Sequence, residues 1–295
     1  MTNSARIRWT VLLPVKVLAR AKSRLAVLAG ERRRELALAL ASDTVAAVLA
    51  CPEVARVVVI TSDPVAARLL AGLGAVIVAD EPADRRASLG SLDGGALDPR
   101  SLDGGALDPG SFDGGALDPG APGGIDGGLG VQDLLNAALR HGAATAARRW
   151  PGTGLAALTA DLPALSPSEL AAALRSAAPA DTPARASFVP DAAGVGTTMY
   201  AVPPGGEFRP LFGGTSRARH AAAGAVELAF GDMTGLRRDV DTPDDLRAAL
   251  ALGAGPRTAA LAAQLLADAL DPHHRAGQRS RDALDRLDLG RDQLA

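Results

Sequence analysis

The stretch Trp9-Thr-Val-Leu-Leu-Pro-Val-Lys16 decides the class of fold that this sequence encodes. It is an apolar, β-branched run that ends at Pro14 and leads into a basic segment containing Lys16, Lys22 and Arg24. Ligands of an α/β sheet bind outside the carboxyl ends of its strands, so these cations are placed to neutralise a triphosphate. A solvated, basic start of a helix is the alternative interpretation of the same residues.

The rest of the chain alternates short β-branched runs with segments rich in Ala and Leu. The predicted strands are residues 11–15, 54–61, 75–79, 154–159, 186–189 and 198–202. The predicted helices are residues 31–50, 64–72, 131–149, 166–176 and 258–270, with Ser166 as the N-cap of the fourth. This alternation predicts an α/β fold, a three-layer α/β/α sandwich whose mostly parallel sheet is covered on both faces.

Composition excludes several classes of protein. The formal net charge of −2 provides no general attraction to nucleic acid or to an anionic membrane. The single cysteine, Cys51, excludes an intrachain disulfide. No apolar run approaches the ~20 residues of a membrane span, and the N-terminus lacks the pattern of a signal peptide. We therefore expect a cytoplasmic protein without nucleic-acid or membrane partners.

A decapeptide interrupts the α/β pattern in the middle of the chain. Ser91-Leu-Asp-Gly-Gly-Ala-Leu-Asp-Pro-Arg100 recurs with minor changes at 101–110 and 111–120. Its ten-residue period and regular prolines disfavour calcium-binding repeats, which have a nine-residue, more Gly-dense motif. We predict one domain over residues 1–255 with a low-complexity insertion at about 88–130, followed by a helical or disordered tail over 256–295.

Two acidic motifs are predicted to sit at strand ends. The first delivers Asp161, and in the second, alternation places Asp239 and Asp241 on one side of an extended segment. Thr242 and Pro243 then predict the cap and first residue of a helix. Mg²⁺ is typically held by one or two carboxylates plus substrate phosphates. Together with the basic segment, the aspartates predict a site for a metal and a nucleoside triphosphate, although no Walker-type loop is present.

A third cluster consists of residues 194–198 and 212–220. Glycine amides, hydroxyl groups and two arginines are typical of a pocket for a small anion, for example a phosphorylated carboxylic acid. The alternative interpretation is a Gly-rich hairpin followed by a helix with Ser216 as its N-cap.

Several short motifs occur together in one order along residues 8–250. They are Pro14-Val-Lys16, Lys22-Ser-Arg24-Leu25, Leu135-Asn136, Ala160-Asp161-Leu-Pro163, Gly196-Thr197, Phe212-Gly213-x-x-Ser216-x-x-x-His220 and Asp239-Val-Asp241-Thr-Pro. In this set and order the sequence resembles the guanylyltransferases of coenzyme F420 biosynthesis. It departs from that family in the decapeptide insertion, in Leu134-Leu-Asn136 where the family has Gly-Leu-Asn, and in the tail after Gly255.

The resemblance implies a nucleotidyltransferase fold and transfer of GMP from GTP to a small phosphorylated three-carbon acid. That acid is phosphoenolpyruvate or 2-phospho-L-lactate, and the Ala- and Arg-rich composition is similar to the branch expected to use phosphoenolpyruvate. Mg²⁺ is the implied cofactor, and diphosphate is the implied product.

The resemblance also implies roles for individual residues. Catalysis is assigned to Lys16, Lys22, Arg24 and Asp161; nucleotide binding to Leu13, Pro14, Lys16, Lys22, Arg24 and Asn136; acid binding to Thr197, Gly213 and Ser216; and metal binding to Asp161, Asp239 and Asp241. Arg217 or Arg219 is the candidate partner of the acid's carboxylate.

Other classes of protein stay open at this point. A molybdopterin or sugar-phosphate nucleotidyltransferase is the second candidate, although its Gly-rich loop is missing. A degenerate member of the fold that only binds a nucleotide is the candidate that is not an enzyme. The oligomeric state is also open, with a homodimer as one option.

Overall fold

The protein is described by a computed structural model that covers residues 7–15, 23–80, 131–178, 185–228 and 233–270. The predicted site residues Lys16 and Lys22 lie outside the described residues, as do the decapeptide insertion and the chain after residue 270.

The centre of the described structure is a seven-stranded sheet. Its strands are β1 (Trp9–Pro14), β2 (Val54–Ile60), β3 (Val76–Val78), β4 (Gly154–Leu158), β5 (Ser187–Pro190), β6 (Thr197–Val202) and β7 (Val226–Glu227). The order across the sheet is β3-β2-β1-β4-β6-β5-β7. Strand β6 pairs antiparallel with both of its neighbours, and the other pairings are parallel. The predicted mostly parallel sheet is confirmed.

Strand β1 shows why these apolar runs become central strands. Val11 and Leu13 pack into one apolar cluster, and Leu12 packs into a second cluster. Because side chains alternate across a sheet, these two clusters lie on its opposite faces, and both are covered. The three-layer sandwich is thereby confirmed.

Helices cover the two faces of the sheet. They are α1 (Ala26–Ala29), α2 (Arg33–Leu49), α3 (Pro64–Gly72), α4 (Val131–Arg149), α5 (Pro167–Ser176), α6 (Ser216–Ala222), α7 (Thr234–Arg237), α8 (Pro243–Ala251) and α9 (Pro256–Leu270). Short 3-10 turns, Ser23–Leu25 and Gly30–Arg32, flank α1.

Two of the predicted helix starts form complete capping boxes. Ser166 and Glu169 exchange hydrogen bonds at the start of α5, and Thr242 and Asp245 do so at the start of α8. Each helix then begins with proline, whose missing N–H costs nothing at that position. These predictions are confirmed.

The C-terminal helix α9 is held by a carboxylate on another helix. Asp43 of α2 is almost completely buried, and its oxygens accept the N–H groups of Thr258 at 2.7 Å and Arg257 at 3.3 Å. Ala262 and Leu265 pack in a third apolar cluster together with Leu40 of α2. The helix predicted after Gly255 is therefore present and shares a core with α2, while the domain boundary at residue 255 stays a prediction.

None of the helices in the described part of the chain combines the length and the hydropathy needed to cross a membrane.

Candidate functional site

Three strands deliver candidate site residues to one edge of the sheet. Strands β1 and β4 are parallel neighbours, so the chain leaves both of them at this edge. Strand β6 runs antiparallel to β4, and therefore its first residue, Thr197, lies at the same edge. The Thr159 N–H donates to the Thr198 carbonyl at 2.9 Å, which continues the pairing beyond β4. Thr197 is thus close to the segment that carries Asp161.

The two acidic motifs meet through their backbones. The Val240 N–H donates to the Asp161 carbonyl at 3.1 Å, and Val240 is fully buried. Asp239 and Asp241 flank Val240 in the irregular segment between α7 and α8, so the predicted position at a strand end is wrong for this motif. All three predicted carboxylate residues nevertheless belong to one corner of the molecule. Asp161 and Asp239 are half-buried, and Asp241 is exposed.

A buried hydroxyl group of α2 fixes the turn after Asp161. Thr44 Oγ1 donates to the Leu40 carbonyl of its own helix at 2.8 Å and accepts the Leu162 N–H at 3.0 Å. On the other side, the Gly255 N–H donates to the Pro163 carbonyl at 2.7 Å. Sequence reasoning missed Thr44, whose signal is the polar run Ser42-Asp-Thr44 within the apolar part of α2 that follows Glu35.

The carboxylates fit a metal that is shared with a substrate better than a metal held by protein alone. Within the described residues, no group of three or more His, Cys, Asp or Glu side chains could hold a metal ion. Mg²⁺ does not need such a group, because one or two carboxylates and substrate phosphates can complete its shell. Asp161 and Asp239 supply hard oxygen ligands of this kind. The predicted Mg²⁺ site therefore stays a prediction with a suitable set of donor atoms.

On the nucleotide side, the structure describes only part of the predicted set. Leu13 is fully buried within β1, and Pro14 is the half-buried last residue of that strand. Arg24 is exposed in the turn Ser23–Leu25. The role of these residues in binding a nucleotide stays a prediction.

Asn136 of α4 has a structural task that the motif did not reveal. Its side-chain carbonyl accepts the Phe212 N–H at 2.9 Å, and its amide group donates to the Phe212 carbonyl at 3.0 Å. The same amide group also donates to the Gln132 carbonyl at 2.9 Å. Asn136 therefore fixes the backbone of Phe212, while its predicted contact with a nucleotide stays a prediction.

The glycine loop, residues 211–216, presents backbone donors between two fixed ends. The Leu211 N–H is bound by His220, and the Phe212 N–H is bound by Asn136. The N–H groups of the next three residues, 213–215, donate no hydrogen bond within the part of the chain that the structure describes. Successive amides without internal partners can bind an anion, and we call residues 213–215 the candidate anion cradle.

Gly213 is required at its position in this loop. Its φ of +97° belongs to the left-handed region, and a Cβ atom there would lie 2.6 Å from Gln132 Cγ. The backbone that forms the anion cradle thus depends on glycine.

Ser216 is not the N-cap of helix α6. The helix begins at Ser216 itself, its N-cap is Thr215, and no side chain caps the first turn. The N-cap interpretation of Ser216 is therefore wrong, because the preceding Gly213-Gly-Thr turn brings the chain into the helix one residue earlier than the cap pattern requires. Ser216 is almost completely buried beside the cradle.

The two arginines of α6 already have partners in the structure. Arg217 donates from Nε and Nη2 to the two carboxylate oxygens of Glu227, at 2.9 and 3.0 Å, and from Nη1 to the Gly194 carbonyl at 3.0 Å. Arg219 donates to the carbonyls of Phe212 and Gly213. Their predicted contact with the carboxylate of a bound acid stays a prediction.

His220 occupies the centre of this cluster, although the sequence provided no role for it. Its ring is completely buried, 4.8 Å from the Tyr200 ring and 5.6 Å from the Phe188 ring between centroids. Nδ1 lies 3.0 Å from Thr197 Oγ1, and Nε2 lies 3.0 Å from the Leu211 nitrogen. Burial, reinforced by the charge of Arg219, lowers the pKa of His220 to about 4. The ring is therefore neutral at pH 7.

Comparison with known proteins finds relatives that match the sequence over most of its length. No protein-family model matches the chain. It is 49% identical to the phosphoenolpyruvate guanylyltransferase of Thermomonospora curvata over 90% of this chain and 92% of that protein. It is 49% identical to the protein of the same name from Streptomyces avermitilis, covering 88% of this chain and 96% of the other, and 48% identical to that of Streptomyces coelicolor, covering 88% and 98%.

Similarity to solved structures is weaker. A crystal structure from Desulfovibrio desulfuricans, of a protein proposed to be a nucleotide-diphospho-sugar transferase, shares 12% identity and a TM-score of 0.44 over 83% of this chain and 96% of the other. A CMP:2-keto-3-deoxy-manno-octonic acid synthetase in complex with CTP shares 13% identity and a TM-score of 0.40 over 83% and 98%. At these scores the likeness carries no functional conclusion. The sequence identity supports a family assignment, because it extends over nearly the whole length of each relative. The chain belongs to the family of phosphoenolpyruvate guanylyltransferases.

Proposed function

We propose that this protein transfers GMP from GTP to phosphoenolpyruvate and releases diphosphate. The observation that carries the proposal is the 49% identity, over 90% of the chain, to a relative named for this activity. The geometry is compatible with it, because the Asp161 and Asp239 segments are hydrogen-bonded to each other at the sheet edge where Thr197 also lies.

The reaction needs no covalent intermediate with the protein. A phosphate oxygen of phosphoenolpyruvate attacks the α-phosphorus of GTP, which forms a new phosphorus–oxygen bond. The bond from the α-phosphorus to the bridging oxygen of the β-phosphate breaks, and diphosphate leaves with that electron pair. Catalysis then consists of positioning the two substrates and neutralising their charge, as in phosphoryl transfer in general.

The charged residues have separate tasks in this proposal. Lys16, Lys22 and Arg24 bind the triphosphate and stabilise the departing diphosphate. Asp161 and Asp239 would hold Mg²⁺, with Asp241 as a further ligand or a neighbouring carboxylate, and the bound ion would supply charge neutralisation at the phosphates.

The remaining predicted residues bind the organic parts of the substrates. Leu13, Pro14 and Asn136 contribute to the nucleotide side, as the family motifs imply. Thr197, Gly213 and Ser216 bind the acid, and their support is the anion cradle of residues 213–215 next to the buried Ser216. A place in coenzyme F420 biosynthesis and a cytoplasmic location belong to the same proposal.

The acceptor can be identified by mass spectrometry of the products. The purified protein is incubated with GTP and Mg²⁺, together with phosphoenolpyruvate or 2-phospho-L-lactate in parallel reactions. The two guanylylated products differ in mass by the two hydrogens on the C2–C3 bond. We expect the product of phosphoenolpyruvate to form faster.

Two controls make this assay decisive. Omission of the acid shows whether GTP is merely hydrolysed, and replacement of GTP by ATP or CTP measures the preference for guanine. Product formation only from 2-phospho-L-lactate would replace the acceptor in this proposal, and no product from either acid would refute the guanylyltransferase activity itself.

A further inference from the structure

The hydrogen-bonding pattern around His220 determines which of its ring nitrogens carries the proton. The Leu211 N–H is a backbone donor that lies 3.0 Å from Nε2, so Nε2 must act as an acceptor. The ring is buried in apolar surroundings beside Arg219, which disfavours a second proton. Neutral His220 therefore carries its hydrogen on Nδ1.

This tautomer determines the orientation of the Thr197 hydroxyl group. Nδ1–H faces Thr197 Oγ1 across 3.0 Å, and the Ser216 carbonyl also accepts from the ring, so Nδ1 cannot accept the hydroxyl hydrogen of Thr197. The hydroxyl hydrogen of Thr197 must then point elsewhere. Within the described residues it has no acceptor, although Thr197 is only 5% exposed. A buried donor without a partner is costly, so this hydrogen needs an acceptor oxygen that the described residues do not supply.

The same imidazole also fixes the loop that forms the anion cradle. Its Nε2 holds the Leu211 N–H directly before Phe212, Gly213 and Ser216. The buried ring thus connects Thr197 on β6 with Leu211 at the start of the loop. The histidine itself belongs to α6, which begins at Ser216, where the loop ends.

We propose that His220 is a positioning residue for the acid acceptor, whose Nδ1–H orients Thr197 so that the threonine hydroxyl donates to an anionic oxygen of the bound acid. This inference rests on the proposed function, because it names how the same site recognises its acceptor. It also specifies the chemistry of recognition. The ligand atom that contacts the Thr197 hydroxyl group is a hydrogen-bond acceptor, such as a phosphate or carboxylate oxygen, and not a hydrogen-bond donor.

Two amide substitutions separate the two hydrogen bonds of the ring. The side chain of His220→Gln reaches the position of Nε2, so it keeps an acceptor for Leu211 but loses the donor to Thr197. The side chain of His220→Asn reaches the position of Nδ1 and keeps that donor. We expect the KM for phosphoenolpyruvate to rise about 10- to 100-fold in His220→Gln, the range for a lost hydrogen bond to a charged group, and clearly less in His220→Asn. The KM for GTP should stay unchanged in both.

Further variants test whether the effect passes through Thr197. Thr197→Val should raise the acid KM by a similar factor, and it should add little when combined with His220→Gln, since both changes remove one interaction. His141→Gln on α4 is the matched control and should leave the KM values of both substrates unchanged.

A measurement on the unmodified protein keeps the inference testable even where a variant fails to fold. Long-range proton–nitrogen NMR spectra of protein labelled at its histidine ring nitrogens should show one buried ring with a protonated Nδ1 and an unprotonated Nε2, missing in His220→Asn or in His220→Gln. A ring protonated at Nε2, or an unchanged acid KM in folded His220→Gln, would overturn the inference. Absence of any guanylylated product from the wild-type protein would overturn the proposed function instead.

Discussion

His220 is an example of a buried polar residue whose electrostatics can be measured without any substrate. Its pKa is lowered to about 4, mainly by burial and further by Arg219, compared with 6.5 for an unperturbed histidine. Between these two values the unfolded chain binds a proton that the folded protein does not bind. The free energy of unfolding contributed by this group is therefore lost as the pH falls from about 6.5 to about 4.

We predict that this loss amounts to roughly 3 kcal/mol across that interval, at 1.36 kcal/mol for each pH unit of pKa difference. Urea unfolding of the wild-type protein and of His220→Gln, each at pH 7.5 and pH 4.5, measures it. The wild-type protein should lose more stability than the variant on acidification. Equal losses in the two proteins would contradict a neutral, buried His220.

At the scale of single residues, sequence reasoning could identify chemistry but not hydrogen-bond partners. Asn136 and His220 were both visible within motifs, yet their contacts with Phe212 and Leu211 join residues that are distant in sequence or belong to a loop without periodicity. Ser216 has the residue type of an N-cap, but the backbone enters the helix one residue earlier. A local pattern carries no information about such tertiary contacts.

At the scale of elements, the segment after β4 depends on a helix that is remote in sequence. Thr44 of α2 holds the N–H of Leu162, the residue that follows Asp161. Both Thr44 and Leu162 are fully buried, so water cannot replace the lost partner. The position of Asp161 is thus coupled to the packing of α2.

We predict that Thr44→Val lowers the free energy of unfolding by about 1–3 kcal/mol, because it leaves the buried Leu162 N–H without an acceptor. Turnover with GTP and phosphoenolpyruvate should also fall, since Asp161 is no longer held. Urea unfolding and steady-state kinetics measure the two effects. Thr44→Ser keeps the hydroxyl group and should restore most of the turnover, whereas full turnover in Thr44→Val would contradict the positioning role.

Most elements were predictable because their signals are local. Helices α3 and α4 have their predicted bounds, and the capping boxes at Ser166 and Thr242 are present. Strand β7 was missed, since two residues are too short for a periodic pattern. The antiparallel direction of β6 was also outside the prediction, because strand direction is decided by long-range pairing.

At the scale of the whole molecule, the decapeptide repeat is the main departure from an ordinary α/β chain. It belongs to the connection between Val78, where β3 ends, and Val131, where α4 begins. Its sequence is rich in Gly, Pro and Asp, a composition typical of low-complexity segments. The cost of closing a longer connection rises only slowly with its length.

We therefore predict that deletion of residues 91–120 leaves the melting temperature and kcat of the protein unchanged. Deletion of one decapeptide, residues 101–110, is the matched smaller change and should have no effect either. Thermal unfolding and product assays measure both. A graded loss of kcat with the number of repeats removed would show that the insertion contributes to function.

The central claim is that Asp161 and Asp239 act together on the triphosphate and metal at the carboxyl edge of the sheet. The most direct measurement is the rate of diphosphate release from GTP and phosphoenolpyruvate with saturating Mg²⁺, in the wild-type protein and in Asp161→Asn and Asp239→Asn. Asp244→Asn serves as the control, because this exposed residue of α8 pairs with Arg247. We predict a loss of about 100-fold or more for each of the first two variants and no loss for the control. Near-normal turnover in folded Asp161→Asn would contradict the account.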